Sequence, residues 1–306
     1  MANPTEQYRG INPKSESRLQ WQSKLVLLTI MPFAGVSALL QLHWWAIEMP
    51  SVALWAAGLS VLLGLVAWKL RTATPWAAVS GTVIASGLAV STAVYPYAPW
   101  HTALIPLIAL LVLTAISTRI GRLHKERLGT AEKRRGRSAS QVAANLGVAV
   151  LVLSEVIQTS LADTHWFLKT ASATFPLFAV GLAALAESAA DTVSSELGQV
   201  FGGTPRMITT LRSAEPGTDG AVSVVGTLLG IASAGLVALA GTWALRGGVE
   251  MFWIATAGGV FGLLFDSLLG ATLERKKLLN NDAVNFLSTV SAAAVALALL
   301  AFLARA

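Results

Sequence analysis

The sequence predicts an all-α fold: a polytopic membrane helix bundle of about nine transmembrane helices, with its N-terminus in the cytoplasm and its C-terminus outside. Three observations carry this. Hydrophobic residues make up 54% of the 306 positions and charged residues only 12%, with a mean hydropathy of +0.63; that is too little charge to cover a soluble surface. Apolar runs long enough to cross a hydrocarbon core of ~30 Å at 1.5 Å per residue recur along the chain. Lysine and arginine concentrate in alternate connections between those runs, which sets the orientation.

Taken in order, the runs fall at about 25–42, 51–68, 76–94, 102–118, 140–158, 173–194, 221–245, 251–271 and 283–303. Residues 1–24 read as a polar cytoplasmic tail, disordered or lying on the surface. They hold no apolar stretch suited to a signal peptide, so the first run reads as a retained anchor. Residues 25–306 read as a single transmembrane domain: scaffold spans over 25–118, a basic cytoplasmic loop at 119–137, and polar-ended helices over 138–306. An odd number of spans puts the termini on opposite sides. With the N-terminus inside, the inner segments hold Arg9, Lys14, Arg18 and Lys24; Lys69 and Arg71; the eight basic residues from Arg119 to Arg137; Arg206 and Arg212; and Arg275, Lys276 and Lys277. That is nineteen of the 22, leaving Lys169, Arg246 and Arg305 outside. Orientation and attraction to anionic membrane lipid account for the net charge of +6, and no nucleic-acid partner is implied. The expected location is the plasma (inner) membrane. The absence of cysteine excludes disulfides, thiol nucleophiles and thiolate metal sites.

The first four runs have no ionisable group in their interiors and carry Trp44, Trp45, Trp68, Trp76 and Trp100 near their ends, as interfacial aromatic belts do. The chain shows no internal repeat of the kind that builds transporters from two halves. The loop at 119–137 has eight basic and two acidic residues. It reads either as a solvated orientation signal or as a phosphate-binding face, in which Arg134, Arg135 and Arg137 precede Ser138, Gln141 and Asn145 at helical spacing.

Carboxylates are the unusual feature. The sixth run carries Glu187 and Asp191 at i, i+4 on one helix face, with Glu196 near its exit, and the eighth carries Asp266 at its inner end. An unpaired carboxylate in hydrocarbon costs several kcal/mol, so such acids face the protein interior and mark function. The polar ends of the fifth to ninth runs all fall on the cytoplasmic side, which predicts a shallow cytoplasmic site. Carboxylates, hydroxyls and amides are hard oxygen ligands that suit Mg²⁺ bridging to phosphates. Glycines such as Gly217 and Gly220 permit anion-cradling turns, yet no P-loop pattern occurs. Only His124 of the four histidines lies inside, so histidine acid–base catalysis is not expected. Phosphoryl transfer to an acceptor that is already an anion fits better, because it needs positioning and charge neutralisation. Farther into the spans, Gly226, Gly230, Ser233, Gly235, Gly258, Gly259 and Gly262 either leave lateral room for a lipid chain between the sixth to ninth runs or let the helices pack closely.

The motifs Ala-Asp-Thr-Val-Ser-Ser-Glu-Leu-Gly (190–198), Pro-Arg-Met-Ile-Thr-Thr (205–210), Pro-Gly-Thr-Asp-Gly-Ala-Val-Ser (216–223), Asp-Ser-Leu-Leu-Gly-Ala-Thr (266–272) and Asn-Asn-Asp-Ala-Val-Asn (280–285) resemble, as an ordered set over residues 135 to 290, an integral-membrane family. That family contains plant phytyl-phosphate kinase and animal transmembrane protein nineteen. The resemblance implies a kinase that converts an isoprenoid monophosphate to the diphosphate, with CTP favoured among nucleoside triphosphates and Mg²⁺ as cofactor. Residues 138–306 would then be the catalytic helices. Glu187, Asp191, Glu196 and Asp266 would be catalytic and hold metal. Arg134, Arg135, Arg137, Asn145, Thr192, Ser195, Arg206, Thr209, Arg212, Gly217, Thr218, Asn281 and Asn285 would bind nucleotide and phosphate. A lipid or small-anion transporter and a CTP-dependent cytidylyltransferase acting on a lipid phosphate remain the rival readings. The acceptor's chain length and the oligomeric state are not written in these motifs.

Overall fold

Helix starts in this chain are marked by hydroxyl caps and prolines. The computed structural model describes residues 13–131, 136–163 and 175–303, and it starts helices at those signals. Thr74 accepts a hydrogen bond from Ala77 N with Pro75 in the first turn. Ser138 and Gln141 form a reciprocal capping box, and Ser223 Oγ accepts from Gly226 N at 3.1 Å. Such caps satisfy the orphan donors of a first turn. The helices are α1 (Pro13–Glu48), α2 (Pro50–Lys69), α3 (Pro75–Ser91), α4 (Leu104–Arg119), α5 (Arg122–Leu128), α6 (Ala139–Val152), α7 (Glu155–Asp163), α8 (Phe175–Phe201), α9 (Val224–Ala244), α10 (Val249–Leu269) and α11 (Asn281–Leu303), with a π-helical turn at Gly270–Glu274. Between α8 and α9 a two-residue antiparallel pair, β1 (Arg206–Met207) and β2 (Ala221–Val222), sets Arg206 opposite Val222.

The all-α membrane architecture is present, but a count of nine spans is not established. Among the described residues six helices, α1, α2, α8, α9, α10 and α11, are long and apolar enough to cross a bilayer; α4 and α5, bent by 64°, make a seventh if taken as one broken span. Helices α3 and α6 are apolar but shorter, at 17 and 14 residues. The run read as 140–158 breaks after Val152, because Ser154 starts a new helix by accepting from Gln158 N at 3.0 Å through its carbonyl, while Gln158 Nε2 bonds Leu153 O at 2.6 Å. Residues 13–24, read as part of a separate tail, continue α1 as helix. They are tied down where Gln22 Nε2 donates to Leu278 O (2.9 Å) and Asn280 Nδ2 to Leu19 O (2.8 Å).

The connections sort into two ends. At one, the α2–α3 turn bonds the segment before α6 (Arg137 N to Thr72 O, 3.0 Å), Lys125 of α5 pairs with Glu196 of α8, and the start of α1 meets the segment before α11. At the other, Trp45 Nε1 donates to Val90 O at 3.1 Å, and His101 bonds Ala244 O and Arg246. Alternate connections thus share an end, as serial crossing requires, and among the described residues Lys24, Lys69, Arg71, Arg119, Arg122, Lys125, Arg127, Arg137 and the basic residues of the 202–223 and 270–280 segments gather at the first.

Helix α8 runs through the centre: 89% of its most apolar stretch is buried, against no more than 39% for any other candidate span. Its sequence explains the position, since Ala179, Ala183, Ala184, Ala186, Ala189 and Ala190 let neighbouring backbones approach closely. Glycines of the partner helices complete the fit. A Cβ on Gly230 would lie 2.9 Å from Ala190 O, and one on Gly259 would lie 2.9 Å from Ala186 Cβ. At Gly230 and Gly259 the glycines thus serve close packing, because α8 fills the space they leave, whereas a Cβ on Gly235 would meet nothing within 4 Å.

Candidate active site

The i, i+4 pair on α8 places Glu187 one turn deeper in the bundle than Asp191. Glu187 is almost fully buried, beside the Ser188 hydroxyl at 3.4 Å, while Ser188 anchors α8 to α6 by donating to Asn145 O at 2.6 Å. One turn toward the polar end, Asp191 faces Asp266 of α10 and the guanidinium of Arg137. Arg137 also donates to Thr192 Oγ1 at 3.3 Å. Two turns beyond Glu187, Glu196 pairs with Lys125, whose side chain is 1% exposed and whose Nζ also donates to the Ser117 and Thr118 carbonyls, both at 3.0 Å. The sharp α4–α5 bend thus delivers a buried cation onto α8.

Between α8, α10, the start of α11 and the 202–223 loop lies a polar cavity of about 270 Å³. Helix α8 contributes Asp191, Ser194, Ser195 and Gln199; α10 and the π-helical turn contribute Asp266, Ser267 and Glu274; α11 contributes Asn281 and Asn285; the loop contributes Gly217, Thr218 and Asp219. The loop closes over it at Gly220, with φ +74°. A Cβ there would lie 2.3 Å from Ala271 N, so this approach to the π-helical turn requires glycine. π-helical turns recur at functional sites because they offset the side-chain register. Asp219 is exposed on its outer side; partial burial raises its carboxyl above the ordinary range while the Arg275 guanidinium works in the opposite direction.

Two oxygens on this cavity wall, Asp266 Oδ1 and Gln199 Oε1, are buried without a protein partner, half of the four such atoms among the described residues. Buried polar atoms normally have partners, so an orphan pair in one cavity points to a ligand, water or ion there. Among the described residues no three His, Cys, Asp or Glu side chains converge into a metal site of their own. Mg²⁺ ordinarily takes one or two carboxylates and completes its shell with water and phosphate oxygens. The all-oxygen donor set around Asp191 and Asp266 fits that mode and not an all-protein cage.

Of the residues singled out from the sequence, Asp191, Ser195, Gly217, Thr218, Asp266, Asn281 and Asn285 border the cavity. Glu187 lies deeper, Glu196 is occupied by Lys125, and Thr192 is turned to Arg137. Asn145 donates to Gln141 O and borders a different cavity. Arg206, Thr209 and Arg212 are exposed and off the cavity wall, with Arg206 bonded to Leu211 O at 3.0 Å. Arg134 and Arg135 lie outside the described residues. Sequence reasoning missed Gln199, Asp219, Glu274 and Lys125. Asp219 stood in plain view within Pro-Gly-Thr-Asp-Gly, and Glu274 follows Asp266 and Gly270 at i, i+4, i+8. For Lys125 no signal separates it from its seven basic neighbours.

The profile of a family described as "Integral membrane protein DUF92" matches residues 58–293. An uncharacterized membrane protein of Synechocystis is 33% identical over 65% of this chain and 73% of its own length. One of Methanocaldococcus jannaschii is 45% identical over 36% of this chain and 45% of its own. Protein VTE6, chloroplastic, of Arabidopsis thaliana is 28% identical over 64% of this chain and 57% of its own. The match thus spans less than two thirds of the Methanocaldococcus and Arabidopsis proteins. No solved structure matches the chain.

Proposed function

Because this chain belongs to the DUF92 family of integral membrane proteins, we propose that it is a membrane-bound kinase that transfers the terminal phosphoryl group of a nucleoside triphosphate to an isoprenoid monophosphate. The observation that carries the reading is the polar cavity in which Asp191 faces Asp266 and two buried oxygens, Asp266 Oδ1 and Gln199 Oε1, have no partner among the described residues. The motif resemblance to the family of plant phytyl-phosphate kinase supplies the acceptor class.

In this reaction an oxygen of the acceptor phosphate bonds to the γ-phosphorus, the bond from that phosphorus to the β-bridging oxygen breaks, and the nucleoside diphosphate leaves with the electron pair. The acceptor oxygen is already anionic, so no base has to take its proton. That agrees with a cavity wall with no histidine among the described residues. Asp191 and Asp266 would hold Mg²⁺, which when bound neutralises charge building on the transferring phosphoryl oxygens. Arg137, beside Asp191, holds and orients the acceptor phosphate through its planar fork. Thr218 and the loop backbone at Gly217 cap the donor phosphates, and Asn281 and Asn285 donate to them from the α11 side. The gathering of basic residues at this end favours a cytoplasmic orientation of the cavity.

Purified protein in nanodiscs, given geranyl, farnesyl or geranylgeranyl phosphate with Mg²⁺ and each nucleoside triphosphate, is expected to form the prenyl diphosphate and nucleoside diphosphate. Release of pyrophosphate with a nucleotide-linked lipid would instead identify a cytidylyltransferase. No turnover with any pair would contradict the kinase reading.

A further inference from the structure

A second cavity, of about 620 Å³, lies on the other side of Arg137. Its origin is in the packing. Helix α2 packs on α1 and α3, and α4 packs on α8 and α9, but α2 and α4 share no substantial packing. The gap between them is floored by α3 and α6. The floor is low because α3 presents Ala77, Ala78, Gly81 and Ala85 to it. The walls are aliphatic, from Leu63 to Leu70 on α2 and from Leu107 to Thr118 on α4. Along α4 this wall runs roughly 18 Å, the twelve rises from Leu107 to Arg119 at ~1.5 Å each, more than half of a ~30 Å hydrocarbon core. Among the described residues the four charged side chains on the cavity wall are all arginines, Arg71, Arg119, Arg122 and Arg137, and all sit at its basic end.

We infer that this groove holds the hydrocarbon chain of a single-chain lipid monophosphate, whose phosphate is taken by the arginine collar at its mouth. The inference rests on the kinase reading for the identity of the lipid, and it moves the acceptor away from the α8–α11 core, where α8 packs directly against Gly230 and Gly259. Charge complementarity selects the head group: guanidinium forks match phosphate oxygens in pairs, and four of them, with no carboxylate among the described lining residues, suit a dianion. Shape selects one chain, since the gap is a single trough between two helices and its volume is that of an ordinary ligand pocket. Position links the two cavities. The Arg137 backbone is held against the α2–α3 turn by its N–H to Thr72 O (3.0 Å) and by Thr74 N to its own carbonyl (3.0 Å). From there its side chain reaches Thr192 and the charge of Asp191. A phosphate bound at the groove mouth is thereby presented to the acid-lined cavity. Arg122 also pairs with Glu126 at 3.1 Å, a solvent-facing pair that an incoming phosphate can replace.

Gly81 gives a clean test, because a Cβ added there meets no atom within 4 Å and so fills groove and not packing. The probe is a geranylgeranyl-length monophosphate with a photoreactive group at the chain end, added to the whole protein in phosphatidylcholine nanodiscs. Labelling is expected in peptides 63–85 and 107–118. Unlabelled geranylgeranyl phosphate should displace it and geranylgeraniol should not. Gly81→Trp should weaken labelling about tenfold and raise KM for geranylgeranyl phosphate more than for geranyl phosphate, whereas Gly81→Ala should match the wild type in both and in melting temperature. Labels within α9 to α11, undiminished labelling of Gly81→Trp, or equal displacement by diacyl phosphatidic acid would overturn the groove. The kinase reading fails separately: groove labelling without turnover would remove the reaction and leave the groove, and turnover with labels elsewhere would do the reverse.

Discussion

The Lys125–Glu196 pair shows how far residue identity alone can mislead. Glu196 has the credentials of a metal ligand, an acid at the boundary of a polar span inside a family-like motif, yet it is neutralised by a buried lysine fifteen residues beyond the fourth run's midpoint in a loop of like charges. The sequence shows that a cation is near and not which one, because pairing is decided by the α4–α5 bend. Breaking a buried pair by removing one partner costs about 3–5 kcal/mol, since the other charge is left desolvated. Lys125→Met is therefore expected to lower the melting temperature markedly, and Lys125→Met with Glu196→Met to recover much of the loss. Equal stability of the single variant and the wild type in a thermal unfolding series would show that the pair is solvated. Among the described residues no lysine forms a salt bridge with Asp191 or Asp266, so the proposed site uses them and not Glu196.

At the scale of elements, the hydrophobic runs were legible and their breaks were not. Runs at 25–42, 51–68 and 283–303 each fall inside one long helix, because leucine and valine at helical spacing leave no alternative in lipid. The break at Leu153 and Ser154 and the π-helical turn at Gly270–Glu274 arise from local hydrogen bonding that periodicity does not register. The glycines of α9 and α10 were open to two readings from sequence, room or packing, and only their neighbours could separate these. Gly230→Leu and Gly259→Leu now carry a definite expectation. Each forces a side chain against α8 at a cost of about 1–3 kcal/mol or more, so expression, thermal stability, nucleotide binding and lipid binding should all fall together. A variant that lost only long-chain lipid use while keeping its melting temperature would return the lipid groove to this region.

For the whole molecule, the order of crossings was legible from charge, since basic segments recur at alternate connections and the structure gathers them at one end. The division into two cavities was not, because the apolar groove is made by α2 and α4 lying side by side without substantial packing, and no sequence pattern reports an absence of packing. What emerges is a one-ended arrangement: α8 at the centre, the acid-lined cavity on its α10 side, the arginine-collared groove on its α4 and α6 side, and Arg137 between them. Glu155 is the internal control. It is exposed at the start of α7, at the opposite end of α6 from Arg137. The most direct measurement of the account is the Mg²⁺-dependent rate of prenyl diphosphate formation by Asp191→Asn, Asp266→Asn and Glu155→Gln, each matched for folding by melting temperature. The two aspartate variants are expected to lose at least about a hundredfold, on the order of 2.7 kcal/mol of transition-state stabilisation, while Glu155→Gln keeps the wild-type rate. Full turnover in both aspartate variants, or a loss in Glu155→Gln as deep as theirs, would contradict a catalytic cavity confined to one end.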